Sequence, residues 1–167
     1  EIHITASEQD AGVLSGKSVA LAADAIRADG YAILHGAMDV DVVGKIGRRM
    51  LEEVQAILDL PEPPHNFAWG NVQHDPPTDV DFLFPAVLCN PYVAAVTRAV
   101  LGEGAHNGFY SGNTNLPRSR VQPVHVDTGH LWRGLEQAHP ACQLVVNFAP
   151  FGMDEANGAT EVWPGSH

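Results

Sequence analysis

Apolar residues recur at helical spacing in the first part of the chain and at strand spacing in the last. Val19, Ala22, Ala23 and Ile26 follow the i, i+3, i+4, i+7 rule, and Gly30 stands where a left-handed residue closes a helix. Residues 31–34 then read as a short apolar strand. A second helix starts near Asp39 or Asp41, whose carboxylates can accept from free N–H groups. Val43, Ile46, Met50, Val54 and Ile57 form its apolar stripe, and Pro61 stops it. Prolines crowd residues 60–64 and 74–78, so this middle stretch reads as loop, with His74 and Asp75 solvated. A third helix opens at Asn90-Pro91, a cap followed by proline at the first helical position. It turns Val93, Val96 and Val100 inward and ends at Gly102.

Beyond that point the period changes. Residues 106–115, 121–127, 141–149 and 159–163 are short segments rich in β-branched and aromatic side chains. Gly, Pro and Asn separate them, as between antiparallel strands. Asn157-Gly158 is a hairpin signal, because a two-residue turn needs positive φ at both positions. Helices first and strands afterwards predict an α+β fold in one domain over residues 1–167. Residues 1–104 form its mainly helical part, packed on one sheet, and residues 105–167 begin a β-sandwich or barrel.

Composition narrows the function. The 167 residues carry 20 acidic and 9 basic side chains, a formal net charge of −11. Such a surface repels phosphate backbones and anionic membranes, which argues against nucleic-acid or membrane partners. Apolar runs are far shorter than a bilayer span. Cys89 and Cys142 cannot build a disulfide framework, and read as free, buried thiols in a reducing, cytoplasmic compartment. Nine histidines in so acidic a chain are the first pointer to chemistry.

His125 and Asp127 are two residues apart on a predicted strand, so they project from the same face. One imidazole and one carboxylate make half of a site for a borderline divalent ion. Two histidines and a carboxylate on one face of the ion define the non-haem iron oxygenases. The His-x-Asp spacing alone arises readily by chance. A second motif sharpens it: Asn157-Gly-Ala-Thr-Glu-Val-Trp-Pro-Gly-Ser-His167 reads as turn, strand, turn and histidine.

Together the two motifs resemble the phytanoyl-CoA dioxygenase-like family of Fe(II)/2-oxoglutarate-dependent oxygenases. The resemblance implies that His125, Asp127 and His167 bind iron and form the catalytic centre, with 2-oxoglutarate and O2 as co-substrates. It implies a double-stranded β-helix, a cupin-like jelly roll. In this family an Arg roughly ten residues past the last histidine holds the distal carboxylate of 2-oxoglutarate. The sequence stops at His167, so the chain reads as part of a longer protein lacking the C-terminal strands. Asn115 corresponds to a polar position near 2-oxoglutarate. A carboxylate at Asp127, where related halogenases have a small residue, favours hydroxylation or desaturation over halogenation.

Other residues receive humbler roles. Trp132 follows the metal strand into a loop at the mouth and is assigned to substrate, with Arg133 as the substrate-side cation. Trp69, Phe109, Tyr110 and Trp163 read mostly as core, and Arg118 and Arg120 as surface charge. His130 reads as an ordinary polar residue past the strand end, and His3, His35, His65, His106 and His139 as packing or surface. The resulting expectation is a hydroxylase or desaturase of a small organic molecule that converts 2-oxoglutarate to succinate and CO2. A CoA thioester fits poorly, since its phosphates want a basic patch. The alternatives are a cupin-like metal enzyme without 2-oxoglutarate and a non-catalytic jelly-roll binding module.

Overall fold

The computed structural model describes residues 1–137 and 139–167. Strand β1 (Ile2–His3) leads into helix α1 (Ala6–Ala11), and helix α2 (Gly16–Asp29) returns the chain to strand β2 (Leu34–His35). β1 and β2 pair in parallel, Ile2 against Leu34 and His3 against His35. Alternation sets the faces: Ile2 and Ile4 are buried while His3 between them is exposed. The apolar cluster beneath contains Ile2, Ile4, Leu14 and Ala22 with Tyr92 and Val96 of helix α5 (Pro91–Leu101).

Caps fix these helix ends. Thr5 and Glu8 form a reciprocal capping box at α1, and Ser15 accepts from the Ser18 N–H at α2. Gly30 closes α2 at φ +85°, a conformation that favours glycine. Asn90 caps α5 by accepting from the N–H groups of Tyr92 and Val93, and its amide donates to the carbonyls of Ala37 and Ala86. That one side chain therefore ties α5 to the loop after β2. Arg27 adds a second tie, donating to the Ala99 carbonyl at 3.0 Å.

Helix α3 (Val40–Leu58), capped by Asp39, buries Val43, Ile46 and Met50 as its stripe predicts. Strand β3 (Asn71–Gln73) follows, then the short helix α4 (Pro85–Leu88), α5, and strand β4 (Asn113–Asn115). β3 and β4 pair antiparallel with Val72 opposite Thr114. Val72 is fully buried. No helix among the described residues is long and apolar enough to cross a membrane.

Several expectations are corrected here. The strand after Gly30 lies at Leu34–His35, one turn later than residues 31–34 suggest. Of residues 106–115 only the last three form a strand. Residues 121–127, 141–149 and 159–163 form none among the described residues, so the chain is α+β with two two-stranded ribbons. The physical reason is pairing: a strand is held by a ladder, and no other segment lies in register beside these three. Val121, Val124 and Val126 are consequently exposed, an apolar row of the kind a facing sheet would cover. Cys89 and Cys142 are free as expected, but exposed rather than buried.

Glu8 is the charged residue most deeply involved in the N-terminal unit. Its buried carboxylate accepts from Ser18 Oγ at 2.6 Å, Ser15 N at 2.8 Å and Thr5 N at 3.0 Å. The Ser18 hydroxyl, then the Thr5 and Ser15 donors, hold its pKa far below its ordinary 4.5. A depressed carboxylate stabilises the fold above its unfolded pKa and loses that contribution as pH falls toward the folded value. Glu8→Gln is therefore expected to lower the melting temperature at pH 7. The gap from the wild type should shrink as pH drops below about 4.5, measured by thermal melts from pH 7 to pH 3. A gap that stays constant across that range would contradict this assignment.

Candidate metal centre

The segment carrying His125 is anchored before it reaches the histidine. Leu116 N–H donates to the Gly70 carbonyl at 2.8 Å, and Arg120 N–H donates to the Trp69 carbonyl at 2.9 Å. The buried Asn71 amide donates to the Arg120 carbonyl at 2.7 Å, and Gln122 reaches the Asn66 carbonyl. Residues 116–122 thus run along the 66–71 loop, extending the β3–β4 ribbon by side-chain and main-chain bonds. A Cβ at Gly70 would lie 2.6 Å from Ser119 Cα, so this approach depends on glycine.

His125 emerges from that anchor and packs its ring on Phe67, with centroids 4.5 Å apart. Its Nδ1 lies 2.8 Å from the Pro123 carbonyl oxygen. A carbonyl can only accept, so Nδ1 carries the proton, and in the neutral ring Nε2 is left with a bare lone pair. That lone pair faces Asp127 Oδ1 at 3.5 Å. Two acceptors this close can share a cation, either a proton on Nε2 or a metal ion. Cis donors of a six-coordinate ion with bonds near 2.1 Å are about 3 Å apart, so the pair needs only a small closure. The Pro123 contact is the outer-shell bond that fixes a ligating imidazole's tautomer. The donor set and its geometry therefore fit two ligands of a divalent ion.

His167 lies elsewhere. Its Nε2 donates to the Arg27 carbonyl at 3.2 Å, and its ring sits against Gly30. Gly165 N–H donates to the Asp29 carbonyl at 2.9 Å. The Pro-Gly-Ser-His turn thus covers the free carbonyls at the C-terminus of α2, where a donor ring also meets the favourable end of the helix dipole. The ligand atoms of His125, Asp127 and His167 do not all come within 4.8 Å of one another; among the described residues only Glu1, His3 and His35 form such a group.

The remaining candidates disperse. Asn115, on β4, donates to the Gly158 carbonyl at 3.2 Å and so touches the turn preceding the last motif. That turn is built by Asp154, whose carboxylate accepts from Ala156 and Asn157, and is longer than a two-residue hairpin loop. Trp132 is exposed and packs edge-on against His139, which also stands in T-shaped contact with His130. Arg133 is exposed and forms no salt bridge among the described residues. Trp69, Phe109 and Trp163 are exposed, contrary to a core role. Partial burial raises the pKa of Tyr110.

One assignment is overturned: His74, read from the sequence as solvated among prolines, is buried beside β4. His74 is 3% exposed, with Nδ1 3.0 Å from Thr114 Oγ1 and Nε2 facing Glu53 at 3.8 Å without a hydrogen bond. Its neighbour Asp75 is held below the usual carboxylate range chiefly by the Ser111 hydroxyl. Val72 and His74 share a strand face, a period-2 signal that the prolines at 76 and 77 obscure.

The model of the phytanoyl-CoA dioxygenase (PhyH) family matches residues 26–167, and the chain belongs to this family. Its members are non-haem iron dioxygenases that use Fe(II) and 2-oxoglutarate, and their fold is a jelly roll.

The seat of His167 is directly testable. A Cβ at Gly30 would lie 2.8–2.9 Å from the His167 side chain, and φ there is +85°. Gly30→Ala is expected to cost about 1–2 kcal/mol in urea denaturation and to shift the His167 ring resonances toward solvent-exposed values. Unchanged stability together with unchanged resonances would contradict this packing.

Proposed function

We propose that the protein is an Fe(II)/2-oxoglutarate-dependent dioxygenase that hydroxylates or desaturates a small organic molecule. His125, Asp127 and His167 are the metal ligands in this reading. The observation that carries it is the opposed pair, His125 Nε2 and Asp127 Oδ1 at 3.5 Å, on the motif where the family match runs. A bound Fe(II) would supply O2 activation coupled to oxidative decarboxylation of 2-oxoglutarate. For hydroxylation, R–H, O2 and 2-oxoglutarate give R–OH, succinate and CO2. The jelly roll belongs to this proposal, since it would give residues 121–127, 141–149 and 159–163 the partners their alternation calls for.

The protein's contribution is orientation. Pro123 holds the proton on Nδ1 of His125 and so keeps Nε2 for the metal, while Phe67 limits the ring's rotation. Asp127 supplies the negative charge that two neutral imidazoles lack. His167 has to exchange the Arg27 carbonyl for the metal, a change the exposed C-terminal segment can make without opening the core. Asn115, next to the 155–158 turn, is assigned to 2-oxoglutarate; Trp132 and Arg133 are assigned to substrate.

Anaerobic addition of Fe(II) and 2-oxoglutarate is expected to give a weak visible charge-transfer band. His125→Ala and Asp127→Ala are each expected to abolish the band and to cut succinate formation at least about 100-fold. His167→Ala should do the same while leaving the far-ultraviolet circular dichroism unchanged. Undiminished decarboxylation by the His125→Ala protein would overturn the ligand assignment. Metal binding without any 2-oxoglutarate band would instead favour the cupin-like enzyme.

A further inference from the structure

The parallel β1–β2 pair places three metal-binding side chains on its solvent face. Glu1 and His3 are two residues apart on β1's side of the pair, and His35 lies in register opposite His3. The two imidazoles stack at 4.3 Å with only 9° between their planes. His35 Nε2 is shut off from solvent and has no hydrogen-bond partner. It faces Glu1 Oε2 at 3.4 Å without hydrogen-bond geometry. A tetrahedral ion with bonds of about 2.0–2.1 Å sets its donors about 3.3 Å apart. The spacing of these two atoms is already that of ligands, and a donor of His3 lies within 4.8 Å of both.

We infer that Glu1, His3 and His35 form a second divalent-cation site, separate from the His125–Asp127 centre. Two imidazoles and one carboxylate suit a borderline ion, and Zn2+ takes this set with a fourth position open to water. Glu1 and His3 precede the residues matched by the family, so the site belongs to this chain's own N-terminal strand. Its effect is structural. A bound ion joins β1 to β2 and holds Ile2 and Ile4 over Ala22, Tyr92 and Val96, so binding adds to the stability of the helical unit. The inference does not depend on the oxygenase reading.

Calorimetric titration of the full chain carrying His125→Ala and Asp127→Ala with zinc chloride isolates this site from the other. One equivalent of Zn2+ is expected to bind and to raise the melting temperature. Adding His35→Gln or His3→Gln, both on the solvent face, should weaken binding about tenfold or more and remove the thermal shift. Glu1→Gln, which leaves the strand pairing and both rings in place, should weaken it as well. Absence of Zn2+ binding in the His125→Ala, Asp127→Ala protein would overturn the inference. So would binding that none of the three glutamine substitutions weakens.

Discussion

A lone pair on His125 Nε2 faces a carboxylate oxygen of Asp127, and the proposed metal centre depends on how that opposition is resolved. Two acceptors at 3.5 Å repel, and a cation between them would turn that repulsion into attraction. The protein does nothing to relieve this from its own side. Pro123 takes the one ring proton at Nδ1, and the basic residues nearest in sequence, Arg120 and Arg133, make no ion pair with Asp127. In the proposed reading the pair is left open to an added cation.

That preorganisation rests on the anchor upstream. Residues 116–122 are tied to the 66–71 loop through Gly70, Trp69, Asn71 and Asn66, and that loop is continuous with the buried β3 residue Val72. The hydrogen-bonded anchor therefore ends about where the His125–Asp127 motif begins. From there to His167 the described residues are mostly exposed, and the last histidine rests on α2 by satisfying helix carbonyls. A neutral donor bond to a carbonyl is worth about 1 kcal/mol, well below what a metal–imidazole bond supplies. In the proposed reading, an ion at the His125–Asp127 pair has only that bond to outcompete for the His167 ring.

The helices were legible because their signals are local. Asp39, Asn90 and Gly30 cap where composition says they should, and Val43, Ile46 and Met50 point inward because a single stripe must meet a single core. The short β1 and α1 lacked such a run; α1 has six polar and small residues held by the Thr5–Glu8 capping box rather than by an apolar face. The segments after Asn115 carry a clear alternation, yet alternation names a face and not a partner, and pairing is decided by what lies alongside. His125 and Asp127 meet because two residues of one strand-like segment suffice. His167 does not meet them, since 40 residues of chain must first be laid in register. His35 escaped notice for a related reason: its chemistry arises only when a strand 32 residues earlier pairs with it in parallel.

Nitrogen-resolved NMR of the His125 ring at pH 8, assigned by comparison with the His125→Ala protein, tests the central claim most directly. The ring is expected to hold its proton on Nδ1, with Nε2 bare and shifting as a diamagnetic divalent ion is added. A proton found on Nε2, or a metal-induced shift at Nδ1 alone, would contradict the account.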